Sequence, residues 1–195
     1  MRESGIYQMY LKNLLDRLLA LVGTAALSWL LILLGIAIHL DSPGPIFFRQ
    51  KRAGKNGTYF YIYKFRTMRI DTPHDMPTHM LNNPDLFITR VGRFLRKTSL
   101  DELPQLFNIL KGDLSIVGPR PVMEIETEIY GNYRDMLLSV KPGLTGFWAA
   151  NGRSCTTYTR RRAMEICYIK NRSVCFDLKI ILKTITSVFK GEGAV

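Results

Sequence analysis

Asp101 and Glu102 stand side by side inside Thr98-Ser99-Leu100-Asp101-Glu102-Leu103-Pro104-Gln105, at the head of an apolar repeat of helical spacing. Adjacent carboxylates at such a place have two readings. As local structure, Asp is a good helix N-cap, Glu suits a first turn, and Pro104 is tolerated where amides need no intrahelical partner. As chemistry, a carboxylate held ionised at a helix N-terminus, with phosphate-binding cations beside it, can attack phosphorus and become an acyl phosphate. Helical geometry turns Glu102 about 100° away from Asp101, toward a second reactant or a shared divalent ion.

Cations suited to a diphosphate are abundant. Lys64 and Arg66 close one apolar segment, Arg90, Arg93, Arg96 and Lys97 precede the acidic pair, and Arg120 follows it within Gly118-Pro119-Arg120-Pro121. Guanidinium groups make paired hydrogen bonds to phosphate, and flanking prolines limit the entropy lost in holding Arg120. Any one of these residues alone reads as a solvated surface charge; gathered around one acidic pair, they read as a phosphate site. The whole chain leans the same way, with 27 Lys and Arg against 16 Asp and Glu and a formal net charge of +11 over 195 residues, which suits anionic partners.

Such a site needs a frame. From Leu18 to Leu40 no Asp, Glu, Lys or Arg occurs, and as a helix the run measures about 34 Å, long enough to enter a bilayer. It is longer than the apolar part of a cleaved leader, and as a core helix, the alternative, it needs a larger protein to cover it. Basic residues flank both ends, Arg2, Lys12 and Arg17 before it and Arg49, Lys51, Arg52 and Lys55 after it. Basic flanks belong on the cytoplasmic side, so a segment that enters the membrane and returns satisfies both. The anchor also argues against nucleic acid as the anionic partner.

Ile46 to Gln50 and Thr58 to Phe65, with Gly54-Lys55-Asn56-Gly57 between them, predict a β-hairpin. Leu103, Leu106, Phe107 and Leu110 predict a short amphipathic helix after Asp101, stopped at Gly112. Leu178, Ile181, Leu182, Ile185, Val188 and Phe189 predict a further helix whose stripe faces the core or a membrane surface. Asp71 to Pro84, with three prolines and two histidines, reads as a surface loop. Cys155, Cys167 and Cys175 lack Cys-x-x-Cys spacing, and His39, His74 and His79 lack metal spacing, so neither a disulfide framework nor a zinc site is expected.

Lys64-Phe65-Arg66-Thr67-Met68, the Ser99 to Gln105 run, Lys111-Gly112-Asp113-Leu114-Ser115, Val117 to Pro121, Lys141-Pro142-Gly143-Leu144-Thr145-Gly146 and Asn151-Gly152-Arg153 follow one another along the chain. In that order they resemble the successive motifs of the monotopic phosphoglycosyl transferases, the bacterial sugar transferase family. The resemblance implies a two-step reaction. Asp101 would attack the β-phosphate of a UDP-sugar, release UMP and hold a phosphosugar, which polyprenyl (undecaprenyl) phosphate then takes. Glu102 would assist as a base or metal-associated carboxylate, Mg2+ held through Asp101 would neutralise phosphate charge, and Lys64, Arg66, Arg96 and Arg120 would bind phosphates. The chain departs from the family pattern at Ser28-Trp29, where many members carry Ser-Pro, at Glu165, where Asp is usual, and at Phe147 to Ala150, where a Trp-Ala-Gln-Val pattern is more usual.

The sequence therefore predicts an α+β protein: a membrane-embedded, re-entrant helix within residues 1–40, and a catalytic domain of helices and hairpins within residues 41–195. The domain is expected to face the cytoplasm at the bacterial inner membrane, with a UDP-sugar, polyprenyl phosphate and membrane lipids as partners and no nucleic acid. Two rivals are a glycosyltransferase that attacks the anomeric carbon and releases UDP, and a non-catalytic basic membrane scaffold whose acidic pair is only a cap.

Overall fold

The computed structural model describes residues 11–72, 84–152 and 156–190. Most of the expected loop, with His74 and His79, lies outside them, as do Arg153 and Cys155. Helix α1 spans Lys12–Asp41, 30 residues without a break. Where a proline at position 29 would remove an amide, Trp29 keeps its own, and Ser28 Oγ donates to the Ala25 carbonyl at 2.9 Å without opening the helix. Both ends of the helix reach the same folded body. Lys12 Nζ is 2.5 Å from Asp177 Oδ2, Ser115 Oγ donates to Asp16 Oδ2 at 2.5 Å, and Asp41 Oδ2 accepts from the Val91 amide at 3.0 Å. Ala20, Leu34, Gly35 and Ile38 form the buried seam, while Leu18, Leu19, Val22, Trp29, Ile32, Leu33 and Ile36 stay exposed.

Strands β1 (Phe47–Ala53) and β2 (Tyr59–Phe65) form the predicted hairpin, paired from Phe47 opposite Phe65 to Ala53 opposite Tyr59. Strand alternation buries Phe60 and Ile62, and puts Lys64 and, across the ladder, Arg52 on that inner side. Helix α2 (Arg90–Thr98) follows, its first turn closed by Thr89 Oγ1 accepting from the Gly92 amide at 2.9 Å. A side chain at position 92 would place its Cβ 2.1 Å from the Thr67 carbonyl oxygen, so only glycine lets α2 lie on the chain leaving β2.

A single-turn 3-10 segment, Leu100–Glu102, leads into α3 (Gln105–Lys111), which stops at Gly112 as expected. Strand β3 (Ser115–Val117), helix α4 (Glu124–Thr127) and helix α5 (Arg134–Leu138) come next. Strand β4 (Gly143–Thr145) then pairs in parallel with β3, Ser115 opposite Gly143 and Val117 opposite Thr145. Helices α6 (Tyr158–Asn171) and α7 (Val174–Lys190) close the described chain. The fold is α+β, with two separate two-stranded sheets among the described residues.

Apolar side chains gather in three clusters. Val117, Val122, Tyr130, Leu137, Ile166, Tyr168 and Ile180 form one beneath β3 and α6, Ala20, Phe60, Ile62, Ile109 and Leu114 join α1 to the hairpin and α3, and Leu34, Ile38, Phe65 and Leu95 join α1 to α2. Of the two placements open to the stripe of helix α7, its exposed members leave the one at a surface. Asp177, Ile180 and Ser187 are its buried residues, whereas Leu178, Leu182 and Ile185 are 56%, 57% and 48% exposed. Its polar side chains have partners inside: the Tyr168 hydroxyl donates to Asp177 Oδ1 at 2.8 Å, and the Thr145 and Thr184 hydroxyls lie 2.7 Å apart.

Candidate active site

The acidic pair sits where α2 ends. Ser99 takes a left-handed backbone, φ 57°, which turns the chain sharply from α2 into the 3-10 turn. Backbone bonds hold that turn, Glu102 N to Ser99 O at 3.3 Å and Leu103 N to Leu100 O at 3.2 Å. Neither acidic residue stands at an N-cap position. The turn and α3 both start without a side-chain cap bond, and the residue preceding α3 is Pro104. Asp101 is half-buried. Burial pushes its carboxyl from 3.8 up to about 6; Lys64 pulls it down, Glu102 pushes it further up, and Arg96 pulls it down.

Lys64 Nζ lies 2.6 Å from Glu102 Oε1, both side chains partly open to solvent. From α2, Arg96 donates its Nε to Thr67 Oγ1 at 2.9 Å, on the segment that Gly92 holds close. The structure thus brings Asp101, Glu102, Lys64 and Arg96 together. Arg66 is elsewhere in its bonding: it is 6% exposed and donates to Pro43 O at 2.7 Å and to Ser42 O at 2.5 Å. Expected among the phosphate cations, it clamps the chain leaving α1 through these two carbonyls.

Arg120 is exposed, and its guanidinium lies 5.3 Å from the centre of the Trp148 ring, which Arg161 approaches at 4.9 Å. Its loop is set by glycine contact. A Cβ at Gly143 would come 2.1 Å from the Gly118 amide nitrogen, so the segment entering Arg120 runs backbone against backbone with β4. Beyond it, buried Glu165 accepts from the Arg120 amide at 3.2 Å and from the Tyr130 hydroxyl at 3.1 Å. Glu165 has its carboxyl raised by burial.

Sequence reasoning gave Arg52 only a flanking charge. It donates to Glu126 Oε2 and Pro121 O, each at 3.2 Å. Burial and then neighbouring Arg120 lower its pKa to about 10, with Glu126 and Glu102 opposing. It links the charge field of the acidic pair to that of Arg120, and its position on the inner strand face was the only trace in the sequence.

A half-buried carboxylate between cations can act as a nucleophile toward an anionic phosphorus centre, since the cations cancel the repulsion between them. The donor set fits a magnesium ion held by one or two carboxylates and by substrate phosphates, the usual way this ion is bound. Asp101 and Glu102 would supply those carboxylates, and no group of three His, Cys, Asp or Glu side chains able to hold a metal occurs among the described residues.

The chain matches the family described as Bacterial sugar transferase over residues 7–191. It is 39% identical over 197 residues to the exopolysaccharide production protein ExoY of Sinorhizobium fredii, covering 94% of this chain and 87% of that one. It is 38% identical over 199 residues to the undecaprenyl-phosphate galactose phosphotransferase of Salmonella typhimurium, covering 95% and 42% respectively. Against the UDP-glucose:undecaprenyl-phosphate glucose-1-phosphate transferase of Xanthomonas campestris pv. campestris the identity is 37% over 206 residues, covering 100% and 43%. The chain thus spans most of the first relative and less than half the length of the other two. With the family matched over nearly its whole length, the chain belongs to the bacterial sugar transferases.

Proposed function

We propose that the chain transfers a sugar 1-phosphate from a UDP-sugar to polyprenyl phosphate through a phosphosugar on Asp101, initiating a lipid-linked glycan. The observation that carries this is Asp101 itself, half-buried between Lys64 and Arg96 and standing at the N-cap position of neither the turn nor α3. In the first step an Asp101 carboxylate oxygen bonds to the β-phosphorus while the bond to the bridging oxygen breaks, and UMP leaves with that electron pair. In the second, a phosphate oxygen of the lipid bonds to the same phosphorus, and the aspartate oxygen leaves as carboxylate. Lys64 and Arg96 neutralise the charge on the transferred phosphate, Arg120 holds the nucleotide-side phosphate, and Glu102 keeps the Lys64 ammonium beside the nucleophile. A magnesium ion on Asp101 and Glu102 would supply further charge neutralisation.

The acceptor is an anionic headgroup on a long apolar chain, and it needs apolar surface beside the site. Helix α1 is long and apolar enough to cross a membrane, yet only 17% of its most apolar stretch is buried. A core helix would be covered; this one offers its outer face to lipid. Both of its ends touch the body that carries the site, which supports a bacterial inner membrane protein with its catalytic domain on the cytoplasmic side. The exposed face of α7 adds to that apolar surface.

Turnover of UDP-sugars with undecaprenyl phosphate and Mg2+ tests the reaction: UMP is the expected product, whereas UDP would mean attack at the anomeric carbon. The same assay has an expected pH dependence. Asp101 must be ionised to attack, so kcat/KM should fall as pH drops through about 6 and level off above it. A profile flat down to pH 5 would exclude a carboxylate raised as Asp101 is.

A further inference from the structure

We infer that Asn108 is a positioning residue that holds Lys64 against the acidic pair, an inference that rests on the proposed role of Asp101. Asn108 lies on α3 and is completely buried. Its side-chain oxygen accepts from the Tyr63 amide at 2.9 Å, and its side-chain nitrogen donates to the Tyr61 carbonyl at 2.7 Å. Both bonds fall on the backbone of β2, and Tyr63 is the residue immediately before Lys64. The Asn108 carbonyl also accepts from the amides of Gly112, Asp113 and Leu114, at 3.0, 3.0 and 3.3 Å, so the end of α3 is gathered onto the same residue.

The consequence is a closed frame. The acidic turn runs directly into α3, and Lys64 closes β2, so Asn108 fixes the distance between the two elements that carry Glu102 and Lys64. An asparagine suits the place because one amide offers both a donor and an acceptor to two carbonyl and amide groups of a strand edge. Removing it takes these partners from the Tyr63 amide and the Tyr61 carbonyl and lets β2 slide on α3, moving the Lys64 ammonium away from Glu102 and Asp101.

The test is kcat of Asn108→Ala, measured in the wild-type and Lys64→Met backgrounds and compared with Ile180→Val. Ile180 is buried in the cluster beneath β3 and α6, so its truncation loosens the fold away from the contact between β2 and α3. Asn108→Ala should reduce kcat about 10- to 100-fold in the wild-type background, while Ile180→Val leaves it within about twofold. In the Lys64→Met background the Asn108 substitution should reduce kcat by no more than about twofold further. Asn108→Ser serves the same comparison if the alanine variant does not fold. A loss of kcat as large in Lys64→Met as in wild type, or one that Ile180→Val reproduces, would overturn the assignment. Absence of UMP formation by the wild type would instead count against the proposed reaction.

Discussion

Asp101→Asn should yield a folded protein whose transfer activity is lower by on the order of 10⁴-fold or more, because a neutral amide cannot form the acyl phosphate. Stability and activity separate at this residue. Asp101 is the N-cap of neither the 3-10 turn nor α3, and asparagine keeps an oxygen that accepts the backbone hydrogen bond made by the carboxylate. Linkage gives the sign of any change. Unfolded, the carboxyl ionises near 3.8, and folded at about 6, so the folded chain binds the proton more tightly. Stability from this group is complete below about pH 4, declines as pH rises toward 6, and stays reduced above it. Asparagine carries no charge to bury, so at pH 7 the variant should melt at or above the wild-type temperature. An inactive variant that melts well below wild type would make Asp101 a structural residue.

Lys64→Met should lower kcat/KM by on the order of 10²- to 10³-fold, the usual loss when one preorganised cation is taken from a developing phosphate charge. Methionine fills similar volume and leaves Glu102 without its 2.6 Å partner. The two side chains are 24% and 31% exposed, so water compensates Glu102 in part and the stability change should stay within about 1 kcal/mol. Without the ammonium the Asp101 carboxyl rises further, and the acid limb should move to higher pH. Steady-state kinetics against pH, with a thermal melt as control, measure both effects. A variant with wild-type efficiency and an unmoved limb would remove Lys64 from the site.

Local patterning located the hairpin, because its alternating residues and the Gly54 to Gly57 turn act within a dozen positions; pairing carried β1 three residues past Gln50, to Ala53. The stripe of Leu103, Leu106, Phe107 and Leu110 marked a helix, but the regular helix begins only at Gln105, since backbone bonds close a separate 3-10 turn over the acidic pair. Helix α2 was hidden among its charges: Val91 and Leu95 mark its inner face, and Arg90, Arg93, Arg96 and Lys97 read as a cation run. Helix α6 hid likewise, since its buried face includes Arg161 and Glu165 beside Ile166 and Ile169. Strands β3 and β4 are three residues each and pair across the chain, beyond the reach of periodicity. Cys167 and Cys175 are exposed free thiols.

Within the site, residue type and order were enough to single out the acidic pair and its cations, whereas partners depend on tertiary contact. Arg66 sits in a cationic motif yet closes the chain after α1, and Asn108 carries no chemistry of its own that a sequence would flag. Arg120 owes its place to glycines that let two backbones touch. Helix α7 turns Asp177 and Thr184 inward to the hydroxyls of Tyr168 and Thr145, a preference invisible to hydrophobic patterning.

The covalent intermediate is the central claim, and trapping it is the most direct measurement. Wild-type protein incubated with a UDP-sugar and Mg2+ but no lipid acceptor, quenched in acid and mapped by peptide mass spectrometry, should carry a phosphosugar on Asp101 together with a matching amount of UMP. Asp101→Asn treated identically should carry none. An adduct on another residue, or UMP formed only when polyprenyl phosphate is present and with no protein adduct at any time, would contradict the mechanism.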